Sequence, residues 1–174
     1  LDFWIIKKIN FDKFFLDLKK FLEEKYIIKD CANKYFTILF EISSPAYYRN
    51  LKIEIRKEIK KIKYEKVIAF SKFSNIQVLV NSIDLNDMMK FKIESFLSRK
   101  EIRDCFDIEF LFKIGIPINL NVKQAKLLLK EIEKLKENDY KIKLGSIIER
   151  EVRNYYLKKN FYILKMELMK IFTT

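Results

Sequence analysis

Among the charged residues between positions 84 and 112 of this chain, five interrupt runs of large apolar residues. They are Lys92, Arg99, Arg103, Asp104 and Asp107. A segment that only filled a core would be a poor place for them, because burying an unpaired charge costs free energy. The chain contains no histidine, which excludes histidine-dependent triads and histidine-ligated zinc sites. Any acid–base chemistry would therefore come from carboxylates or lysines.

The apolar spacing of this segment predicts two helices that meet at a charged elbow. Apolar residues recur every three or four positions from Leu85 onward, and Asp84 is placed to cap the first helix. The sequence Ser98-Arg99-Lys100-Glu101 then interrupts the pattern. A second helical pattern follows from Ile102 and ends at Gly115.

Two further acids fall on predicted strands near the start of the chain. The sequence Leu1 to Ile6 reads as a strand with Asp2 in its second position. The sequence Leu51 to Arg56 alternates strictly, which places Glu54 on the face opposite the apolar residues. Each acid has a simpler interpretation, since Asp2 is also typical of a surface residue and Glu54 of a strand residue paired with basic neighbours.

Other elements follow from the same rules. Asn10 is expected to cap a helix to Lys25, and Ser146 to cap a helix through a capping box with Glu149. Additional helices are predicted at 122–137 and 161–172, and additional strands at 26–28, 34–42, 67–71 and 76–80.

The order of the charged motifs is similar to that of a known family. The sequence contains Lys92-Ile93-Glu94-Ser95-Phe96, then Arg99, then Arg103-Asp104-Cys105-Phe106-Asp107-Ile108. This order resembles the AbiEii-type nucleotidyltransferase toxins of bacterial toxin–antitoxin and phage-defence systems, which have K-x-x-(A/S)-(L/F), a basic elbow and R-D-x-x-D-(L/I). The resemblance extends more weakly to Leu1-Asp2-Phe3, to the strand at 51–55 and to the helical C-terminus.

The resemblance implies roles for the charged helical residues. Lys92 would contact the triphosphate and stabilise the charge that builds as pyrophosphate leaves. Asp104 or Asp107 would orient Lys92 or help to activate the acceptor hydroxyl. Arg99 and Arg103 would contact phosphate or the acceptor strand. Without the family pattern, Arg103 and Asp107 would be interpreted as an ion pair bracing one helix.

The resemblance also implies a metal site. Asp2 would match the second acid of a hydrophobic-D-x-D-hydrophobic motif, and Glu54 would be the third acid, on a neighbouring strand. Together they would hold Mg²⁺ or Mn²⁺ against the phosphates of an NTP substrate. The first acid and a Gly-Ser element would precede Leu1, so the sequence is expected to be an N-terminally truncated member and could be inactive.

The expected fold class is α+β, with a small mixed or antiparallel sheet, a packed helix and a helical C-terminal bundle. Residues 1–83 would form a nucleotidyltransferase-like core with an incomplete first strand, and residues 84–174 a helical subdomain continuous with it. No apolar run in the sequence approaches the length of a membrane span. Cys31 and Cys105 fit no zinc-ligand spacing and are interpreted as core residues of a protein in a reducing cytoplasm.

The net charge of the chain is compatible with three hypotheses about its function. Lys and Arg number 36 against 24 acids, a net charge of +12, which favours an anionic partner but is also typical of an AT-rich genome. The first hypothesis is a type IV toxin-like or phage-defence enzyme that transfers a nucleotide to an acceptor such as a tRNA 3′ end, with a cognate antitoxin as a further partner. The second is a catalytically degenerate basic module that binds RNA or protein, and the third is a structural helical adaptor.

Overall fold

The computed structural model describes residues 1–59, 62–70 and 75–173. The chain forms two compact units, Leu1–Lys61 and Ile62–Thr174. The expected α+β fold class is confirmed. No helix in the described part of the chain is both long and apolar enough to cross a membrane.

The first unit is a four-stranded sheet with one helix on one of its faces. Its elements are β1 (Asp2–Trp4), α1 (Phe11–Glu23), β2 (Ile27–Asn33), β3 (Thr37–Ser44) and β4 (Tyr47–Arg56). The strand order is β1-β4-β3-β2, with β1 parallel to β4 and the other neighbours antiparallel. Asn10 caps α1 as expected, accepting hydrogen bonds from the backbone N–H groups of Asp12 and Lys13. Phe15 of α1 stacks on Phe40 of β3 at a centroid distance of 5.1 Å, so α1 covers one face of the sheet.

The second unit is a β-hairpin followed by helices. Its elements are β5 (Tyr64–Ala69), β6 (Val78–Ile83), α2 (Leu85–Arg99), α3 (Ile102–Lys113), α4 (Val122–Glu133), a π-helix (Asp139–Leu144), α5 (Arg150–Lys159) and α6 (Tyr162–Thr173). The hairpin is tied to α2, because Lys63 N–H donates to Asp87 Oδ2 at 3.0 Å and Asp84 N–H donates to the Lys63 carbonyl oxygen at 2.9 Å. The hairpin therefore groups with the helices, whereas the sequence placed it before a boundary at 83/84. The expected strand 67–71 ends at Ser71, which lies outside the described residues.

The two helices of the charged segment are confirmed. Asp84 caps α2 by accepting from the backbone N–H groups of Asn86 and Asp87. Lys100 ends α2 in the left-handed conformation, with φ of 58°. This reversal lets α3 turn back against α2 and produces the predicted elbow.

The expected cap at Ser146 is wrong. Helix α5 begins at Arg150, with Glu149 in the N-cap position and no side-chain capping bond. The Ser146 hydroxyl instead donates to the Lys143 carbonyl oxygen at 2.8 Å and accepts from Arg103 Nη2 at 2.9 Å. The hydroxyl is thus used by the end of the π-helix and by α3.

Gly145 lies where a side chain would not fit. A Cβ added there would overlap the carbonyl oxygen of Lys141 and lie 2.9 Å from Cδ of Arg153. We expect Gly145→Ala to lower the free energy of unfolding by about 2 kcal/mol, because the backbone must shift to remove the overlap. Thermal or urea unfolding measures the change.

Gly115→Ala is the comparison for Gly145→Ala. Gly115 has φ of +97° and open space around the added Cβ, so its cost of about 1 kcal/mol comes from backbone strain alone. A Gly145→Ala protein as stable as wild type would contradict the predicted overlap.

Glu109 is a fully buried carboxylate that joins α3 to α6. Its Oε2 accepts from the backbone N–H of Leu164 at 3.0 Å, near the start of α6. Its Oε1 lies 2.7 Å from Nζ of Lys113, whose ammonium also donates to Tyr156 Oη at 3.1 Å. A carboxylate suits the N-terminal end of a helix because the first N–H groups have no partner within the helix.

We expect Glu109→Gln to destabilise the protein by about 2 kcal/mol, because the single amide oxygen cannot serve both Leu164 N–H and the Lys113 ammonium, and the amide NH₂ group is then buried against a second donor. Urea unfolding measures the effect. Glu137→Gln is the control, since Glu137 pairs with Lys141 on the surface and exposed pairs contribute little. Equal stability of the two variants would contradict the role assigned to Glu109.

Candidate active site

The first unit brings Asp2 and Glu54 together. The two residues are paired in the parallel register of β1 and β4, so their side chains project from the same face of the sheet. Glu54 is paired across β3 with Leu39, on the face opposite the apolar residues that meet α1. The alternating pattern of the sequence predicted this face for Glu54. The strand register shows in addition that Asp2 is its neighbour.

Lys52 lies beside this acid pair. Its Nζ is 2.7 Å from Glu54 Oε1, and this hydrogen bond lowers the pKa of the Glu54 carboxyl against the opposing effect of partial burial. The same contact raises the pKa of Lys52, with smaller effects from Asp2 and Glu41. The simpler interpretation of Glu54 was a strand residue paired with a basic neighbour. The structure contains that ion pair, with Lys52 as the neighbour.

The donor set fits a hard divalent cation only in part. Two carboxylates on adjacent strands offer the oxygen ligands that Mg²⁺ prefers, and Mg²⁺ usually takes its other ligands from water and substrate phosphates. The Lys52 ammonium already occupies a cationic position beside Glu54. Within residues 1–59, 62–70 and 75–173, no group of three or more potential ligands is gathered at one point. Asp2 and Glu54 could thus supply two of the oxygen ligands of such a cation.

The second unit brings Lys92, Asp104 and Asp107 together. Lys92 lies on α2, and both acids lie on α3 beyond the elbow. The Lys92 ammonium is 2.6 Å from Asp107 Oδ2 and 3.6 Å from Asp104 Oδ1. The lysine side chain is 29% exposed, so its charge is partly shielded from water yet open on one side.

Arg99 completes this cluster through Asp104. Its Nε is 2.6 Å from Asp104 Oδ2 and its Nη2 is 2.7 Å from Asp104 Oδ1. This two-pronged contact raises the pKa of Arg99 and gives the carboxylate, which is only 1% exposed, a full counter-charge. Asp107 is 38% exposed, so the two acids differ sharply in their access to solvent.

Arg103 does not join the cluster. Its Nη2 donates to Ser146 Oγ and its Nε to the Lys143 carbonyl oxygen at 3.3 Å. Arg103 does not form the alternative i, i+4 pair with Asp107, since its guanidinium is engaged by the Lys143 carbonyl oxygen and by Ser146. Arg103 therefore connects α3 to the end of the π-helix.

Two polar contacts were not anticipated from the sequence. The pair between the buried Glu109 and Lys113 has the i, i+4 spacing that favours a helical ion pair, so its spacing could have revealed it. The contact between Arg103 and Ser146 spans 43 residues, and no local signal predicts it. Cys105 is buried as expected, and burial raises the pKa of its thiol well above the ordinary value.

Comparison with solved structures shows a nucleotidyltransferase-like fold. The chain is similar to a candidate nucleotidyltransferase from H. pylori, with a TM-score of 0.53 and 19% identity over 98% of this chain and 79% of that one. It is also similar to JHP933 from Helicobacter pylori, with a TM-score of 0.51 and 18% identity over 98% of this chain and 76% of that one. No family model matches the chain, and no curated protein matches it significantly.

Proposed function

We propose that this chain is a nucleotidyltransferase that transfers a nucleotide from an NTP to an acceptor hydroxyl such as a tRNA 3′ end. The observation that carries the proposal is the Lys92 ammonium, held 2.6 Å from Asp107 and 3.6 Å from Asp104 on a partly exposed surface. The nucleotidyltransferase-like fold supports the same reaction class. The AbiEii-like order of the motifs further suggests a toxin of a type IV toxin–antitoxin or phage-defence system, with an antitoxin as partner.

In this reaction the acceptor oxygen forms a bond to the α-phosphorus of the NTP. The bond between that phosphorus and the bridging oxygen breaks, and pyrophosphate leaves with the electron pair. Lys92 is suited to bind the β- and γ-phosphates, because a lysine is a flexible point charge and the partial shielding strengthens its field. Its attraction grows as negative charge moves to the leaving group, and this lowers the barrier.

The acceptor hydroxyl must lose a proton during the transfer. Asp107 is the better candidate to accept it, since its carboxylate is 38% exposed and can meet a substrate. Asp104 is almost completely buried and has both oxygens engaged by Arg99. We therefore assign proton acceptance to Asp107, and to Asp104 a second, weaker attraction on the Lys92 ammonium at 3.6 Å.

We assign divalent metal binding to Asp2 and Glu54. A bound Mg²⁺ or Mn²⁺ would neutralise charge on the NTP phosphates. The two carboxylates would supply oxygen ligands from neighbouring strands, and Lys52 would move away from Glu54 as the metal binds. Such movement requires little free energy, because the Lys52 side chain is 58% exposed and surface ion pairs are weak.

The proposal is tested by incubating the protein with Mg²⁺, each α-³²P-labelled NTP in turn and total bacterial tRNA. The expected result is label in the RNA together with one pyrophosphate released per nucleotide added. RNA binding that weakens steeply with salt but brings no incorporation would support the basic RNA-binding module instead. Neither incorporation nor binding would favour a protein-binding module or a structural adaptor.

A further inference from the structure

Asp104 is a buried carboxylate with two cations within reach. Arg99 engages both of its oxygens at 2.6 and 2.7 Å, whereas the Lys92 ammonium stays 3.6 Å from Oδ1. A carboxylate with 1% exposure obtains little stabilisation from water, so it must be compensated by these neighbours.

Lys92 is placed by the competition between its two acidic neighbours. It lies closer to the half-exposed Asp107 than to the buried Asp104. Since Arg99 already satisfies the buried carboxylate, Asp104 exerts only a partial pull on the lysine. The ammonium is thereby left towards the surface, where it can meet a ligand.

We infer that Arg99 is a positioning residue that keeps the Lys92 ammonium accessible by occupying Asp104. The placement of Lys92 by Arg99 does not depend on the proposed function. Only its use in binding the triphosphate rests on that function. Arg99 itself need not touch the nucleotide. The contact to phosphate or acceptor strand that the family resemblance suggested for Arg99 is not required.

Loss of the arginine should move the lysine. In Arg99→Met, Asp104 keeps its charge and its burial, and Lys92 is the remaining cation seen within 4 Å of it among the described residues. The ammonium should then move inward from Asp107 to Asp104, because an uncompensated buried charge is expensive. A planar, two-pronged partner is replaced only in part by lysine, so Arg99→Lys should give an intermediate position.

The experiment measures the position of Lys92 without using turnover. Wild-type and variant proteins are treated briefly with an amine-acetylating reagent, and acetylation of Lys92 is quantified by peptide mass spectrometry. Lys90, 64% exposed on the same helix, is the internal reference. We expect Arg99→Met to lower the relative rate at Lys92 about fivefold, within the range of coupling between contacting charged residues.

Two further variants make the result specific. In Arg99→Met combined with Asp104→Asn the buried charge is gone, so the Lys92 rate should return towards the wild-type value. Arg103→Met removes the same charge from a neighbouring arginine that contacts Ser146 instead, and the rate should stay unchanged. Melting curves identify any variant that fails to fold, and Arg99→Lys, which keeps the charge, then supplies the test.

An unchanged or faster Lys92 rate in Arg99→Met, or an equal fall in Arg103→Met, would overturn the inference. If Arg99→Met unfolds, a wild-type rate in Arg99→Lys would overturn it as well.

The proposed function fails separately: if the acetylation pattern is as expected but wild-type protein incorporates no nucleotide, the positioning role stands and the transferase assignment falls. If an Arg99→Met protein incorporates nucleotide and its Lys92 acetylation is normal, the transferase assignment stands and the positioning role falls.

Discussion

Lys92→Ala is expected to lower nucleotide incorporation by about 10²-fold or more, the scale on which a lost electrostatic stabiliser acts. Its ammonium is the cation that we assign to the departing pyrophosphate. Thermal stability should hardly change, because Asp104 keeps its pairing with Arg99 and Asp107 is exposed enough to be hydrated. Single-turnover incorporation of labelled NTP, measured beside a melting curve, checks both expectations.

Two companion variants sharpen the Lys92 test. Lys92→Arg keeps the charge in a planar group of different reach and should recover only part of the activity. Lys90→Ala is the matched control, since Lys90 lies on the same helix and pairs with Asp87 on the surface. Full activity of both Lys92 variants would show that the triphosphate role is wrong, and a lowered melting temperature with intact activity would make Lys92 structural.

Asp2→Ala is expected to abolish incorporation and to weaken Mn²⁺ binding. Asp2 is one of the two ligands that we assign to the metal, so its loss weakens metal binding and leaves phosphate charge uncompensated. Glu54→Gln is the more discriminating variant because it keeps the shape of the side chain and removes its charge. Mn²⁺ affinity, measured by calorimetry or by the paramagnetic signal of free Mn²⁺, gives a readout that does not depend on turnover.

Glu41→Gln is the control for the acid pair. Glu41 lies on β3 opposite Lys52 in the register and accepts from Asn50 Nδ2 at 2.6 Å. It shares the polar sheet face but is not a neighbour of Asp2 in the pairing. We expect it to leave Mn²⁺ affinity and incorporation close to wild type. If Glu54→Gln behaves in the same way, Glu54 is a salt-bridged strand residue and the metal assignment is wrong.

Local sequence determined the helices that carry the cation cluster. Asp84 can cap α2 from its position alone, and the Ser98–Glu101 interruption breaks the apolar repeat, so both ends of the elbow follow from interactions within a few residues. The polar face of β4 was equally predictable, because strict alternation fixes the side of Glu54. The family-like order of the motifs identified most of the candidate residues before any distance was known.

Long-range contacts decided which of those residues meet. Alternation alone cannot choose the partner strand, and the parallel pairing of β1 with β4 is what places Asp2 beside Glu54. The Ser146 cap failed for a similar reason, since that hydroxyl accepts from Arg103 and donates to the Lys143 carbonyl oxygen. In the π-helix before it, polar and apolar residues alternate from Asp139 to Leu144, and this spacing does not predict a helix.

The choice between the two arginines separates sequence from tertiary structure most clearly. Helical spacing favoured an Arg103–Asp107 pair, because residues four apart lie on one face. The left-handed turn at Lys100 instead brings Arg99 onto Asp104 across the elbow, and Lys92 from α2 takes Asp107. The sequence thus determined which charges lie near the elbow, but the packing of α2 on α3 decided their partners, since a buried carboxylate takes whichever cation the fold brings within bonding distance.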